Sequence, residues 1–119
     1  MKTIQFLIGR IEVTPSGTMQ DNTRKVELEG EELATLALYK EDPDGRLNKR
    51  RGVNETLCRT EDGRLIVHSE DWSTLQDEPT VYELVEITKD DLLPGGRFDR
   101  LGERAGYGHP LTLDEALGL

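Results

Sequence analysis

Apolar and polar positions alternate along much of this chain with a period of two, the spacing of strands whose one face is buried. From Thr3 to Val13 the apolar set is Ile4, Phe6 and Ile8, then shifts register across Gly9 to Ile11 and Val13, which predicts one bent strand or two short ones. Thr14-Pro15-Ser16-Gly17 reads as a turn, with proline preset for its second position and glycine for its last. Lys25 to Glu29 alternates as a half-buried strand, and Gly30 suits a bulge or a tight turn. The run Leu33 to Tyr39 is tolerable in a helix. It lacks an N-cap hydroxyl and has strands on either side, so a strand is preferred.

Asp42-Pro43-Asp44-Gly45 is a second turn, and the polar stretch from there to Asn54 carries no apolar period, which predicts a long exposed loop. Between Glu55 and Trp72 two β-prone runs flank Asp62-Gly63, a hairpin signal. With Asp62 and Gly63 as a two-residue loop, Cys58 opposes Val67 and Leu57 opposes His68. One face then carries Cys58, Thr60, Leu65 and Val67, and the other carries Leu57, Arg59, Ile66 and His68. Asp77-Glu78-Pro79 marks a turn before a last strand, Thr80 to Thr88, with Val81, Val85 and Ile87 on one face and Tyr82 and Leu84 on the other. A helix starting near Pro94-Gly95-Gly96 would bury Phe98 and Leu101. Thr112 to Glu115 has capping-box spacing for a very short final helix.

The fold class expected is α+β, mainly β: an antiparallel meander sheet of about five or six strands, able to form a small partly closed barrel, with one or two short C-terminal helices. Its 119 residues fit one domain, 1–119. Hydrophobic residues make up 34% and aromatics 5%, which predicts a thin, aliphatic core that gains from a partner or from self-association through an exposed strand edge. No apolar run approaches a membrane span, and the N-terminus has no apolar region of the kind a secretory signal needs. Cys58 is the only cysteine, which excludes an internal disulfide and a thiolate zinc cage and fits a reducing, cytoplasmic setting. The net charge of −9, from 24 acidic against 15 basic residues, disfavours a generic nucleic-acid surface and favours solubility or a basic protein partner.

Four side-chain groups carry candidate chemistry. His68, Glu70 and Asp71 could contribute to a divalent-metal or proton-transfer site with His109, although Asp71 points away from the face that His68 and Glu70 share. Cys58 would be a nucleophile only beside a histidine, and the two-residue-loop register separates it from His68. Arg46, Lys49, Arg50 and Arg51 concentrate positive charge against the acidic background, without an aromatic residue between them to stack a base. Arg97, Arg100 and Arg104 recur at helical spacing, placing three guanidinium groups on one face near Asp99 and Glu103. Trp72, after Glu70-Asp71, could anchor a partner or cap the sheet.

The segment Cys58 to Ser73, preceded by the strand around Leu33 to Tyr39, resembles the central region of the small bacterial EXLDI proteins. The shared pattern is carried by Arg59, Thr60, Gly63, Arg64, Val67, His68, Trp72 and Ser73. That resemblance implies a bacterial origin and no particular activity. No nucleophile, base and orienting group converge at these spacings. The leading expectation is therefore a small non-catalytic interaction or regulatory protein without a cofactor, binding a protein partner. A nucleic-acid or nucleotide binder using Arg46 to Arg51 comes second, and a metal-dependent hydrolase or nuclease built on His68, Glu70 and His109 third.

Overall fold

The computed structural model describes residues 2–75, 78–107 and 112–118. Five antiparallel strands follow one another as a meander and close into a barrel: β1 (Lys2–Val13), β2 (Met19–Glu41), β3 (Leu47–Thr60), β4 (Leu65–Ser73) and β5 (Thr80–Ile87). A 3-10 turn at Lys89–Leu92 and two short helices, α1 (Asp99–Arg104) and α2 (Leu113–Leu117), complete the described chain. The mainly β meander is as expected from the sequence, and Leu33 to Tyr39 is strand. None of the described helices is long and apolar enough to cross a membrane.

Three corrections to the sequence reading have local physical causes. The hairpin between β3 and β4 turns through Glu61, Asp62 and Gly63: Thr60 N donates to Arg64 O at 2.8 Å and Gly63 N to Thr60 O at 2.9 Å. Gly63 takes the left-handed φ of 88° that this bulged three-residue loop requires. The register therefore slips by one, so Arg59 opposes Leu65, Cys58 opposes Ile66, Leu57 opposes Val67 and Thr56 opposes His68. A one-residue slip exchanges the faces, and Cys58 now shares one with His68.

Second, β2 runs without a break through Gly30, which pairs with Lys2 on one side and Thr60 on the other. A Cβ there would lie 2.3 Å from Arg59 O, so only glycine allows the neighbouring strand so close. Third, the polar stretch after Arg46 is not a loop; it is the first half of β3. There the partner of β2 jumps from Gly52 at Tyr39 to Asn48 at Lys40, leaving Lys49, Arg50 and Arg51 as an excursion that follows β4 through the Arg51–Ser73 pair.

The barrel has two apolar layers. Phe6 stacks on His68 at 4.4 Å although β1 and β4 are not neighbours, so these rings, with buried Ile4, Cys58 and Ile66, lie inside. Leu36, Leu57, Val67 and Ile87 point outward and are covered by Leu92, Phe98 and Leu101 of the C-terminal segment. Burying Leu101 completely gives α1 its anchor on the sheet, as its sequence position predicts.

Candidate interaction surface

Closure of the barrel is uneven. β5 meets β1 only at Gly9, Arg10 and Ile11, while the rest of β1 toward Lys2 pairs with β2 alone. His68 acts at this seam: its Nε2 donates to Leu7 O at 2.7 Å, and its ring lies between Phe6 and Tyr82, whose centroid is 6.1 Å away. A buried imidazole with its hydrogen bond spent on a carbonyl and its faces covered by rings is a structural histidine.

Glu70 shares the inner face with His68 and accepts a hydrogen bond from Asn54 Nδ2 at 2.7 Å. Burial, and then the Glu70 carboxylate, push the Tyr82 phenol up from its ordinary value. Asp71 points outward and takes Lys40 Nζ at 2.6 Å. His109 lies outside the described residues. Among the described residues no three histidine, cysteine or carboxylate side chains are grouped to hold a metal. Cys58 is fully buried, and its thiol is pushed up to about 11 by burial and then by Glu32, which disfavours the thiolate a nucleophile needs even though the corrected register returns it to the histidine's face.

The predicted basic cluster is divided. Arg46 lies 3.7 Å from Asp44, and Arg51 reaches Glu78 at 3.0 Å and Asp42 at 3.8 Å, so two of the four cations meet carboxylates. Lys49 and Arg50 stay exposed in the excursion from the ladder. Arg97 stacks on Phe98 with its guanidinium 4.8 Å from the ring centroid. Together with Arg100 it offsets part of the burial that raises the Glu55 carboxyl. Arg100 and Arg104 line a 330 Å³ hollow with Leu36 and Glu103, and no ion pair forms on either guanidinium among the described residues.

The feature that sequence reasoning placed only as an exposed strand edge is the second half of β2. From Met19 to Gly30 this strand pairs with β1, and from Gly30 to Glu41 with β3, so among the described residues each half has one edge without a strand. Along the first half, Asp21 Oδ1 accepts from Thr23 N at 3.0 Å, the kind of side-chain plug that blunts an edge. At the seam, His68 plugs the Leu7 carbonyl in the same way. Along Glu31–Glu41 no side chain hydrogen-bonds to the backbone among the described residues, and Leu33 to Tyr39 carries no charge.

That edge has a distinct environment on each side. Inward, Ala37, Tyr39, Asn54 and Trp72 border a 210 Å³ cleft in which Tyr39 meets the indole edge-on at 6.2 Å. Tyr39 is 50% exposed. Outward, α1 rests on Leu36 and presents Arg100 and Arg104. Comparison of the chain with known protein families, with curated proteins and with solved structures returns no match.

Proposed function

We propose that this chain is a small, acidic, non-catalytic protein-binding module, and that its partner adds an extended strand along the Glu31–Glu41 edge of β2. The observation that carries this reading is a contrast among the described residues: the other half of β2 and the seam each have a backbone group taken, by Asp21 and His68, while no side chain caps the Glu31–Glu41 edge and its central run Leu33–Tyr39 carries no charge. An added strand gains ladder hydrogen bonds for affinity, and its alternate side chains would be read by the Tyr39–Trp72 cleft on one face and by Arg100 and Arg104 on the other. Edge aromatics and unpaired arginines are the residue types that dominate binding energy at interfaces. The lone buried thiol suits a reducing, cytoplasmic setting for such a module.

A photo-crosslinking residue placed at Ala37 tests this reading against the same residue at Gln5, an exposed position on β1. In native extract, adducts with protein are expected from Ala37 and not from Gln5. Equal capture at both positions, or adducts abolished by nuclease, would overturn it.

A further inference from the structure

The β2 edge also indicates which chain fits it. Resting on its reading as a docking site, we infer that the strand added along Glu31–Glu41 is the same segment of a second copy, antiparallel, about a two-fold axis through Leu36. In that register Leu36 opposes Leu36 of the second copy, Thr35 opposes its Ala37, and Ala34 opposes its Leu38. The ladder shift between Glu32 and Ala34 absorbs one step. Lys40 of one copy therefore comes opposite Glu31 of the other, on the outer face, and Tyr39 opposite Glu32.

Charge is the first reason for a second copy. Each molecule carries a net charge of −9, so contact between two copies is opposed wherever acidic surface meets acidic surface. Leu33 to Tyr39 is free of that penalty because it holds no charge at all. Its ends are Glu31-Glu32 and Lys40-Glu41, and antiparallel pairing sets Glu31 of one copy against Lys40 of the other, whose ammonium also holds Asp71 of its own copy. The hollow beside Leu36 has the same mixed character, with Arg100 and Arg104 next to Glu103. Two α1 helices meeting across the axis would offer these guanidiniums the second copy's Glu103, neither having an ion pair among the described residues of its own copy.

Closure is the second reason. An open, apolar edge is a template for association with another strand. A two-fold contact uses this edge of both copies at once, so the pairing along it closes at two. It also joins the two barrels into one continuous sheet, which supports the thin core.

Analytical ultracentrifugation of the purified full chain, without other proteins, tests the proposal. The expected species has twice the 13.4 kDa chain mass. In the Thr35→Lys/Ala37→Lys variant the mass is expected to halve, because four ammonium groups would meet at the axis, with circular dichroism reporting the barrel. As a second arm, a mixture of Thr35→Cys and Ala37→Cys chains should form a disulfide between copies on oxidation more readily than either chain alone, fully buried Cys58 remaining unreacted. A monomer at every concentration, a dimer unaffected by the two lysines, or no preference for the mixed disulfide would overturn the second copy. A monomer whose Ala37 probe still captures a different protein would sink this inference alone. A monomer with no such adduct would sink the docking reading too.

Discussion

Cys58 and His68 lie on one inner face of the barrel, Cys58 opposite Ile66 and His68 opposite Thr56, and each is committed to structure. The histidine spends its Nε2 hydrogen on Leu7 O, and the thiol is sealed with no exposed surface. Burial raises the Cys58 pKa from 9.0 to about 11, which makes the thiol a pH-dependent part of stability. Because the folded value lies above the unfolded one, its contribution is fully present below pH 9 and is lost as pH rises toward 11. The loss amounts to at most about 2 to 3 kcal/mol at roughly 1.4 kcal/mol per unit. Urea unfolding followed across that interval should show the midpoint falling, and Cys58→Ala should flatten the fall. A midpoint as steep in the variant would mean that other groups, such as Tyr82, carry it.

At the scale of elements, the barrel repeats one turn device three times. Thr14–Thr18, Asp42–Arg46 and Thr60–Arg64 each close with the same two backbone hydrogen bonds and each place a left-handed glycine fourth: Gly17, Gly45 and Gly63. No atom lies within 4 Å of a Cβ built on any of these three, so Gly63→Ala costs only the strain of positive φ, about 1 kcal/mol. Gly9 differs, since its φ of 110° is combined with a Cβ position 2.3 Å from Asn22 O in the neighbouring strand. Gly9→Ala is expected to cost about 3 kcal/mol or more, from strain and overpacking together. Thermal unfolding of the two variants orders them, and equal losses would refute the tight β1–β2 approach at Gly9.

The location of each turn was legible, because proline, aspartate and glycine have fixed turn roles. Its length was not, because Asp-Gly serves both a two-residue loop and a bulged three-residue one. The deciding group is Thr60, whose Oγ1 accepts from Arg64 N at 2.9 Å, as Thr14 Oγ1 does from Thr18 N at 3.1 Å. The start of β3 was illegible for another reason: beyond the barrel neither face is buried, Leu47 is 60% exposed, and no apolar period exists to read. The docking edge lies between these cases. Its uncharged run was visible in the sequence. Its lack of a strand neighbour among the described residues is a matter of how β1, β2 and β3 pair, a long-range fact that no local pattern records.

For the whole molecule, shape and charge pull in one direction. The Cα radius of gyration is 17.4 Å, against about 13 to 14 Å for a compact domain of this length, and the extents are 65 × 41 × 16 Å. Long strands thus expose much surface for the apolar material available, and that surface is acidic. The ion pairs present are mostly between exposed side chains, such as Arg64 with Glu86 at 2.8 Å, and each such pair is worth at most about 1 kcal/mol. Repulsion among the 24 carboxylates acts over the whole surface and is opposed by only 15 cations. Salt screens both effects, but the uncompensated excess is the larger and longer-ranged, so screening stabilises the fold. The thermal midpoint is expected to rise by about 2 to 5 °C between low and physiological ionic strength, corresponding to roughly 0.5 to 1 kcal/mol for a domain of this size. A midpoint that falls with sodium chloride would show that the local pairs outweigh the net charge, and that the acidic surface contributes to holding the barrel together.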